Sequence, residues 1–307
     1  MIRALLASTS QPDAWLAAFE RALPDVELHV WPEAPREVDF GLLWKPPPEL
    51  FARTRITRAI FNLGAGVDAL LAVPTLPREA IVVRLEDAGM AIQMAEYATL
   101  AVLRAYREQD AYAALQRERR WQPRQRIDKR SFGVGVLGLG VLGRAIADAL
   151  RPFGFPLYGW SATARDVEGM QVFSGERGLE AVASRSKVLI VMLPLTDATR
   201  GIVDAKLIAA MPRGSHLVNV ARGGLVVEDD LVDALDRGQL DSATLDVFDR
   251  EPLPEGHRFW HHPGIVITPH VSAATLVDES AEQVAAKLRA MLRGEAVGGV
   301  VDPQRGY

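Results

Sequence analysis

At 307 residues, 49% hydrophobic and 24% charged, the chain is long enough for two domains with separate cores and has the composition of a folded globular protein. It has no cysteine, which excludes disulfides, thiolate metal sites and cysteine nucleophiles, and its net charge of −4 speaks against a general nucleic-acid binder, whose footprint is basic. The start, MIRALLASTSQPDAW, is unlike a secretion signal and no apolar run reaches the ~18 residues of a membrane span, so the expectation is a cytoplasmic protein with a small-molecule substrate.

The first ninety residues alternate short apolar runs (IRALLAS, VELHVW, FGLLW, AIFNL, IVVRL) with amphipathic stretches such as PDAWLAAFERAL, the pattern of an α/β layer. From Gly89 to about Arg120 no proline or internal glycine interrupts the sequence, which predicts one long helix. Its alanine and leucine face is more apolar than a lone surface helix needs and predicts a homodimer interface. WQPRQRIDKRSF then brings proline and clustered arginine and reads as the join to a second domain; its charge run reads as a solvated face, with anion binding as the alternative.

Strand and helix patterns alternate again from FGVGVLGLG to IVITPH, predicting a parallel, doubly wound sheet. A last helix, about Leu276 to Arg293, is placed to return to the first domain.

Gly138-Leu139-Gly140-Val141-Leu142-Gly143 is a G-x-G-x-x-G between the strand VGVL and the helix RAIADAL. The spacing alone is weak evidence for a dinucleotide site, and the strand, turn and helix around it strengthen it. Gly138 permits a tight turn, Gly140 lets backbone approach a pyrophosphate, and Gly143 lets helix pack on strand. After the next strand, where an NAD site carries an acidic residue for the ribose, the chain reads Trp160-Ser161-Ala162-Thr163. With no carboxylate there, Ser161 is the ribose candidate and Arg165 a candidate for a 2′-phosphate; an ordinary surface arginine is the alternative for Arg165. That combination predicts NADPH as the preferred coenzyme and NADH as a weaker one.

Reducing a 2-keto acid takes a cation for the carboxylate and ketone, a proton donor for the alkoxide, and a nicotinamide held at the carbon. VNVARGG puts Arg222 beyond a buried strand, where a guanidinium can grip a carboxylate in a planar fork. LDVFDREPLP supplies Asp246 and Glu251, and ITPHVSAAT supplies His270, which a carboxylate partner would keep protonated. Each residue alone also reads as an ordinary surface, turn or strand-end residue. His257 and His261 are four apart, but Pro263 and Gly264 follow closely and no metal site is expected.

Together, VLGLGVLGRAIA, VNVARGG, LDVFDREPLP and TPHVSAAT resemble the D-isomer-specific 2-hydroxyacid dehydrogenase family over essentially the whole chain. LWKPPPELFA, LGAGVDALL, RLEDAGMAIQMAEYA, WQP, GFPLYGWS, VEDDLVDALD and the ending RGY are similar to its bacterial glyoxylate/hydroxypyruvate reductase A branch. The resemblance implies an α/β protein of two doubly wound parallel-sheet domains. A Rossmann coenzyme domain, 91–274, is inserted into a flavodoxin-like catalytic domain, 1–90 with 275–307. It implies an Arg222, Glu251 and His270 triad acting on glyoxylate or hydroxypyruvate in the cleft between them, and Asp246 holding the nicotinamide carboxamide. Gly64, Ala65, Gly66 and Val67 would offer backbone amides to the substrate carboxylate, Trp44 and Lys45 would line the pocket, and Trp121 would reach a partner's active site in the dimer. A nicotinamide-sensing corepressor, or a formate or phosphite dehydrogenase of the same fold, are the alternatives.

Overall fold

The computed structural model describes residues 1–302 and Gly306. Arg305 and Tyr307 of the RGY ending lie outside the described residues. The chain forms two compact units, Met1–Met90 with Thr275–Tyr307, and Ala91–Ala274.

The first unit holds β1 (Ile2–Ser8), α1 (Pro12–Ala22), β2 (Val26–Val30), β3 (Glu37–Trp44), α2 (Leu50–Arg53), β4 (Arg55–Asn62), α3 (Asp68–Leu71) and β5 (Val82–Arg84). All five strands are parallel, in the order β2-β1-β3-β4-β5, which is the flavodoxin-like arrangement. Leu5, Ala7, Leu43, Leu50, Ile60 and Leu70 share one core cluster in this unit. The C-terminal helix, Val277–Leu292, packs on α1. Arg21 pairs with Asp278 at 2.6 Å, and Arg289 donates to the Ala22 carbonyl at 2.6 Å.

In the second unit come α4 (Met90–Tyr106), α5 (Gln109–Arg117), β6 (Val134–Leu137), α6 (Val141–Leu150), β7 (Leu157–Trp160), β8 (Gln171–Phe173), α7 (Gly175–Ala183), β9 (Val188–Val191), α8 (Ala205–Ala210), β10 (Ser215–Asn219), α9 (Glu228–Asp236), β11 (Leu240–Leu245) and β12 (Ile265–Ile267). Its sheet runs β8-β7-β6-β9-β10-β11-β12, all parallel, so the direction of winding reverses between β6 and β9. Both faces are covered, as continuous apolar strands require. Along β9, Val188 and Ile190 join a cluster with Met94, Val102, Ile146 and Leu150 of α4 and α6. Leu189 and Val191 point the other way, to Val182, Leu207 and Leu231 of α7 to α9.

Two sequence expectations are corrected. The single long helix is two, because Glu108 turns to φ +50 between α4 and α5. Arg104 pairs with Asp110 across the break, and Glu108 accepts from Arg124 Nε at 2.7 Å, so ionic contacts replace the missing helical turn. The arginine-rich stretch after α5 is not a domain join either. It lies inside the second unit, since α4 before it already buries Ala98 and Val102 against that unit's sheet. The short edge strand β8 was not singled out from sequence, since only Val172 and Phe173 of its three residues are apolar.

Candidate active site

The glycine turn sits at the reversal point of the second sheet, where doubly wound folds bind ligands. A Cβ on Gly138, at φ +100, would lie 2.3 Å from the Met192 carbonyl of the neighbouring strand's end. One on Gly143 would lie 1.9 Å from the Gly138 carbonyl. Both glycines are demanded by the protein itself. Gly140 differs, since no atom stands within 4 Å of a Cβ built there. The first bond of the helix runs from the Arg144 amide to the Gly140 carbonyl, which leaves the Val141, Leu142 and Gly143 amides for an anion. An open space that only a side chain would close, above three amides and a helix N-terminus, fits the pyrophosphate of a dinucleotide.

Past β7, Ser161 is buried and its hydroxyl donates to the Thr163 carbonyl at 2.6 Å, leaving its lone pairs to accept. Arg165 folds back to the glycine turn, where Nη1 donates to the Leu139 carbonyl at 3.3 Å. The ribose candidate and the phosphate candidate are thus both held beside the turn that would seat the dinucleotide.

Arg222, Glu251 and His270 follow three neighbouring strands, β10, β11 and β12, at the same carboxyl edge. Buried Asn219 ends β10, accepts from the Ala221 amide at 3.2 Å and donates to the Arg222 carbonyl at 2.9 Å, so one side chain shapes the turn that presents the arginine. At Gly223 a Cβ would fall 1.9 Å from the Phe248 carbonyl carbon. Only glycine lets this turn lie against the Phe248–Asp249 backbone that leads to Glu251.

Glu251 Oε1 accepts from the Phe248 amide at 3.0 Å, and Oε2 meets His270 Nδ1 at 2.8 Å. Burial acts to raise the Glu251 pKa, but the His270 and Phe248 hydrogen bonds with the His270 and Arg222 charges outweigh it and hold the carboxyl below its ordinary value. A carboxylate only accepts, so His270 is the donor in this contact, through Nδ1. The backbone at His270 is left-handed, φ +56, an unfavourable conformation that aims the ring at Glu251.

Asp246 is fully buried. Its Oδ1 accepts from Thr268 Oγ1 at 2.6 Å and the Val271 amide at 2.9 Å, and its Oδ2 from the Ser272 amide at 2.8 Å. The structure therefore ties Asp246 to the His270 loop.

In the first unit the other candidates also gather. Trp44 ends β3, and its ring fills the space a Cβ on Gly64 would need, 2.2 Å away. Lys45 follows at φ +47. Buried Asn62, at the end of β4, donates to the carbonyls of Gly64 and Gly66 at 2.8 and 2.9 Å. This turns the loop's carbonyls inward, and the amides of Gly64, Ala65, Gly66 and Val67 meet no acceptor among the described residues. Asn62 and Asn219 were not singled out from sequence. Each is a polar residue closing an apolar strand just before a glycine turn, where an orphan amide has to find partners, and that was the available signal.

Trp121 is fully exposed. His257 bonds Glu228 at 3.2 Å and His262 bonds Asp236 at 3.4 Å, both on α9. Among the described residues no group of histidine and carboxylate side chains could hold a metal, and no helix is long and apolar enough to cross a membrane.

Residues 99–272, more than half of the chain, match the family described as D-isomer specific 2-hydroxyacid dehydrogenase, NAD binding domain. Curated relatives include the glyoxylate/hydroxypyruvate reductase A of Serratia proteamaculans, 43% identical over 301 residues and 96% of each chain. That of Photorhabdus laumondii is 42% identical over 299 residues, 95% of this chain and 96% of its own. Among solved structures, a D-isomer specific 2-hydroxyacid dehydrogenase from Xanthobacter autotrophicus, in complex with NADPH and MES, superposes with a TM-score of 0.94 at 38% identity, covering 100% of this chain and 99% of its own. An NADPH-dependent glyoxylate/hydroxypyruvate reductase from Sinorhizobium meliloti, in complex with NADP and sulfate, does so at 0.93 and 34%, covering 100% of both. A glycine turn with open space above its helix-start amides, an arginine, glutamate and histidine at one sheet edge, and relatives matched end to end place the chain in the D-isomer specific 2-hydroxyacid dehydrogenase family.

Proposed function

We propose that this protein reduces a small 2-keto acid, glyoxylate or hydroxypyruvate, to glycolate or D-glycerate, with NADPH as the preferred coenzyme and NADH a weaker one. The 2.8 Å contact between His270 and a Glu251 held in its charged form carries the reading, because it fixes a proton on Nδ1 and leaves Nε2 for the substrate oxygen. The dihydronicotinamide, when bound, supplies the hydride. Arg222 grips the carboxylate and polarises the ketone. His270 Nε2 gives its proton to the oxygen as the carbon gains its new C–H bond, and Glu251 steadies the imidazolium beforehand. The amides of Gly64 to Val67, which meet no acceptor among the described residues, with Trp44 and Lys45 beside them, are assigned to the substrate carboxylate and pocket, and Asp246 to the carboxamide. In this reading unit 91–274 is the coenzyme domain, the other unit the catalytic domain, and the enzyme works in the cytoplasm. Initial rates on a panel of glyoxylate, hydroxypyruvate, pyruvate, formate and phosphite, with each coenzyme, test it; turnover of formate or phosphite alone, or of nothing, refutes it.

The two glycines of the turn separate folding from binding. Gly140→Ala has room in the protein and is expected to keep its melting temperature while weakening NADPH severely, since the methyl enters the pyrophosphate space. Gly143→Ala is expected to lose both, because its methyl meets a carbonyl at 1.9 Å. Thermal melts beside coenzyme titrations check the contrast.

Arg165 supports a coenzyme preference of modest size. One charge-assisted hydrogen bond contributes about 1.5–3 kcal/mol, or roughly ten- to hundredfold. Arg165→Ala is expected to erase most of the NADPH preference and leave NADH kinetics nearly unchanged. Equal kcat/KM ratios for the two coenzymes in wild type and variant would remove Arg165 from the site.

A homodimer belongs to the same reading. Ile92 and Leu100 of α4 are 66% and 67% exposed and Trp121 is 100% exposed in the single chain, an apolar surface that a second copy would cover. Light scattering at micromolar concentration is expected to give twice the chain mass. Trp121→Ala is expected to change the ratio of glyoxylate to hydroxypyruvate turnover, and an unchanged ratio would place Trp121 outside the active site.

A further inference from the structure

Thr268 lies two residues before His270 and donates its hydroxyl proton to Asp246 at 2.6 Å. Its oxygen is therefore an acceptor toward the Tyr97 hydroxyl of α4, 2.5 Å away. Asp246 in turn takes the Val271 and Ser272 amides through its carboxyl and the His270 amide, at 2.8 Å, through its backbone carbonyl. Four residues further along, Gln93 closes the same loop from one turn earlier on α4. Its Nε2 donates to the Ala274 carbonyl and its Oε1 accepts from the Ala274 amide, both at 3.1 Å.

We infer that Tyr97, Thr268 and Gln93 are positioning residues, a relay from α4 through Asp246 that holds the 268–274 loop and with it the strained turn at His270. The physical need is plain: a histidine at φ +56 relaxes unless its neighbours over-determine it, and every backbone amide from 270 to 272 is bonded to Asp246. Burial, helped by the Asp246 charge, outweighs the Thr268 hydrogen bond and raises the Tyr97 pKa, so the phenol stays a donor. Gln93 and Ala274 both belong to the second unit, close in sequence to its two ends at Ala91 and Ala274.

The inference rests on His270 as proton donor, and its test keeps the two apart. With saturating NADPH, Thr268→Val is expected to lower kcat for glyoxylate roughly tenfold, the order of one lost hydrogen bond to a charged group, while KM stays within about twofold. Tyr97→Phe is expected to cost a few-fold, and the double variant no more than Thr268→Val alone, because both act through one relay. Thr268→Ser, which keeps the hydroxyl, is expected to recover most of the loss. Amide hydrogen exchange provides a readout without turnover: residues 268–274 are expected to exchange faster in Thr268→Val and Gln93→Ala, while β6 keeps its protection. A wild-type kcat in both Thr268→Val and Tyr97→Phe, Thr268→Ser as damaged as Thr268→Val, or unchanged exchange in the loop would each overturn the relay. A wild type that reduces no 2-keto acid overturns the functional reading instead, and the exchange measurement still decides the relay.

Discussion

Replacing His270 is expected to lower turnover of glyoxylate by roughly 10²- to 10⁴-fold, the worth of a positioned general acid, while NADPH binding measured by titration is expected to stay close to wild type. Two variants are needed because the position is strained. His270→Ala removes the ring but also leaves alanine at φ +56, which adds a backbone cost. Asparagine tolerates that conformation, so His270→Asn isolates the loss of the proton donor. Most of the activity surviving in His270→Asn at neutral pH would refute the assignment. Glu251→Gln completes the test: it replaces the carboxylate that meets His270 Nδ1 at 2.8 Å and is expected to lower kcat for glyoxylate while NADPH binding stays close to wild type.

Arg222→Ala is expected to cost roughly 10²- to 10⁴-fold in kcat/KM, with kcat and KM both affected, because two charge-assisted hydrogen bonds at about 1.5–3 kcal/mol each are lost. Arg222→Lys is expected to recover little, since an ammonium has no planar fork. The variant also removes one of the charges that hold Glu251 low. A carboxyl with a depressed folded pKa contributes stability above its unfolded value and loses it as pH falls through the folded one. In Arg222→Ala that loss is expected to begin at a higher pH, visible as an earlier acid limb in thermal melts. A variant with wild-type KM would place the substrate carboxylate elsewhere, and steady-state kinetics across the pH range decides it.

Short-range patterns carried much of this. The apolar runs marked the strands of both sheets, with the edge strand β8 as the exception, because a buried parallel strand has no polar face to interrupt it. The glycine spacing marked the turn at 138–143 because each glycine answers to a local demand, a positive φ, a close carbonyl, or open space for a ligand. Arg222, Glu251 and His270 were legible as strand-end residues in the order of a known family. The break at Glu108 was not, since no glycine or proline announces it and the ion pairs that hold it join residues up to sixteen apart. Composition read the arginine-rich stretch as a domain join, whereas the resemblance put it inside 91–274, and the packing of α4 on the second sheet is what keeps it there. Asn62 and Asn219 shape the two loops that carry candidate groups, yet an asparagine in isolation says only that it needs partners. Thr268 and Tyr97 meet across 171 residues of sequence. What the sequence by itself determined was the set of candidate groups and the strands that end beside them, because those follow from local pattern. Which side chains hold those groups in place was decided by tertiary structure alone, because a hydrogen bond depends on distance in space and chain order does not encode it.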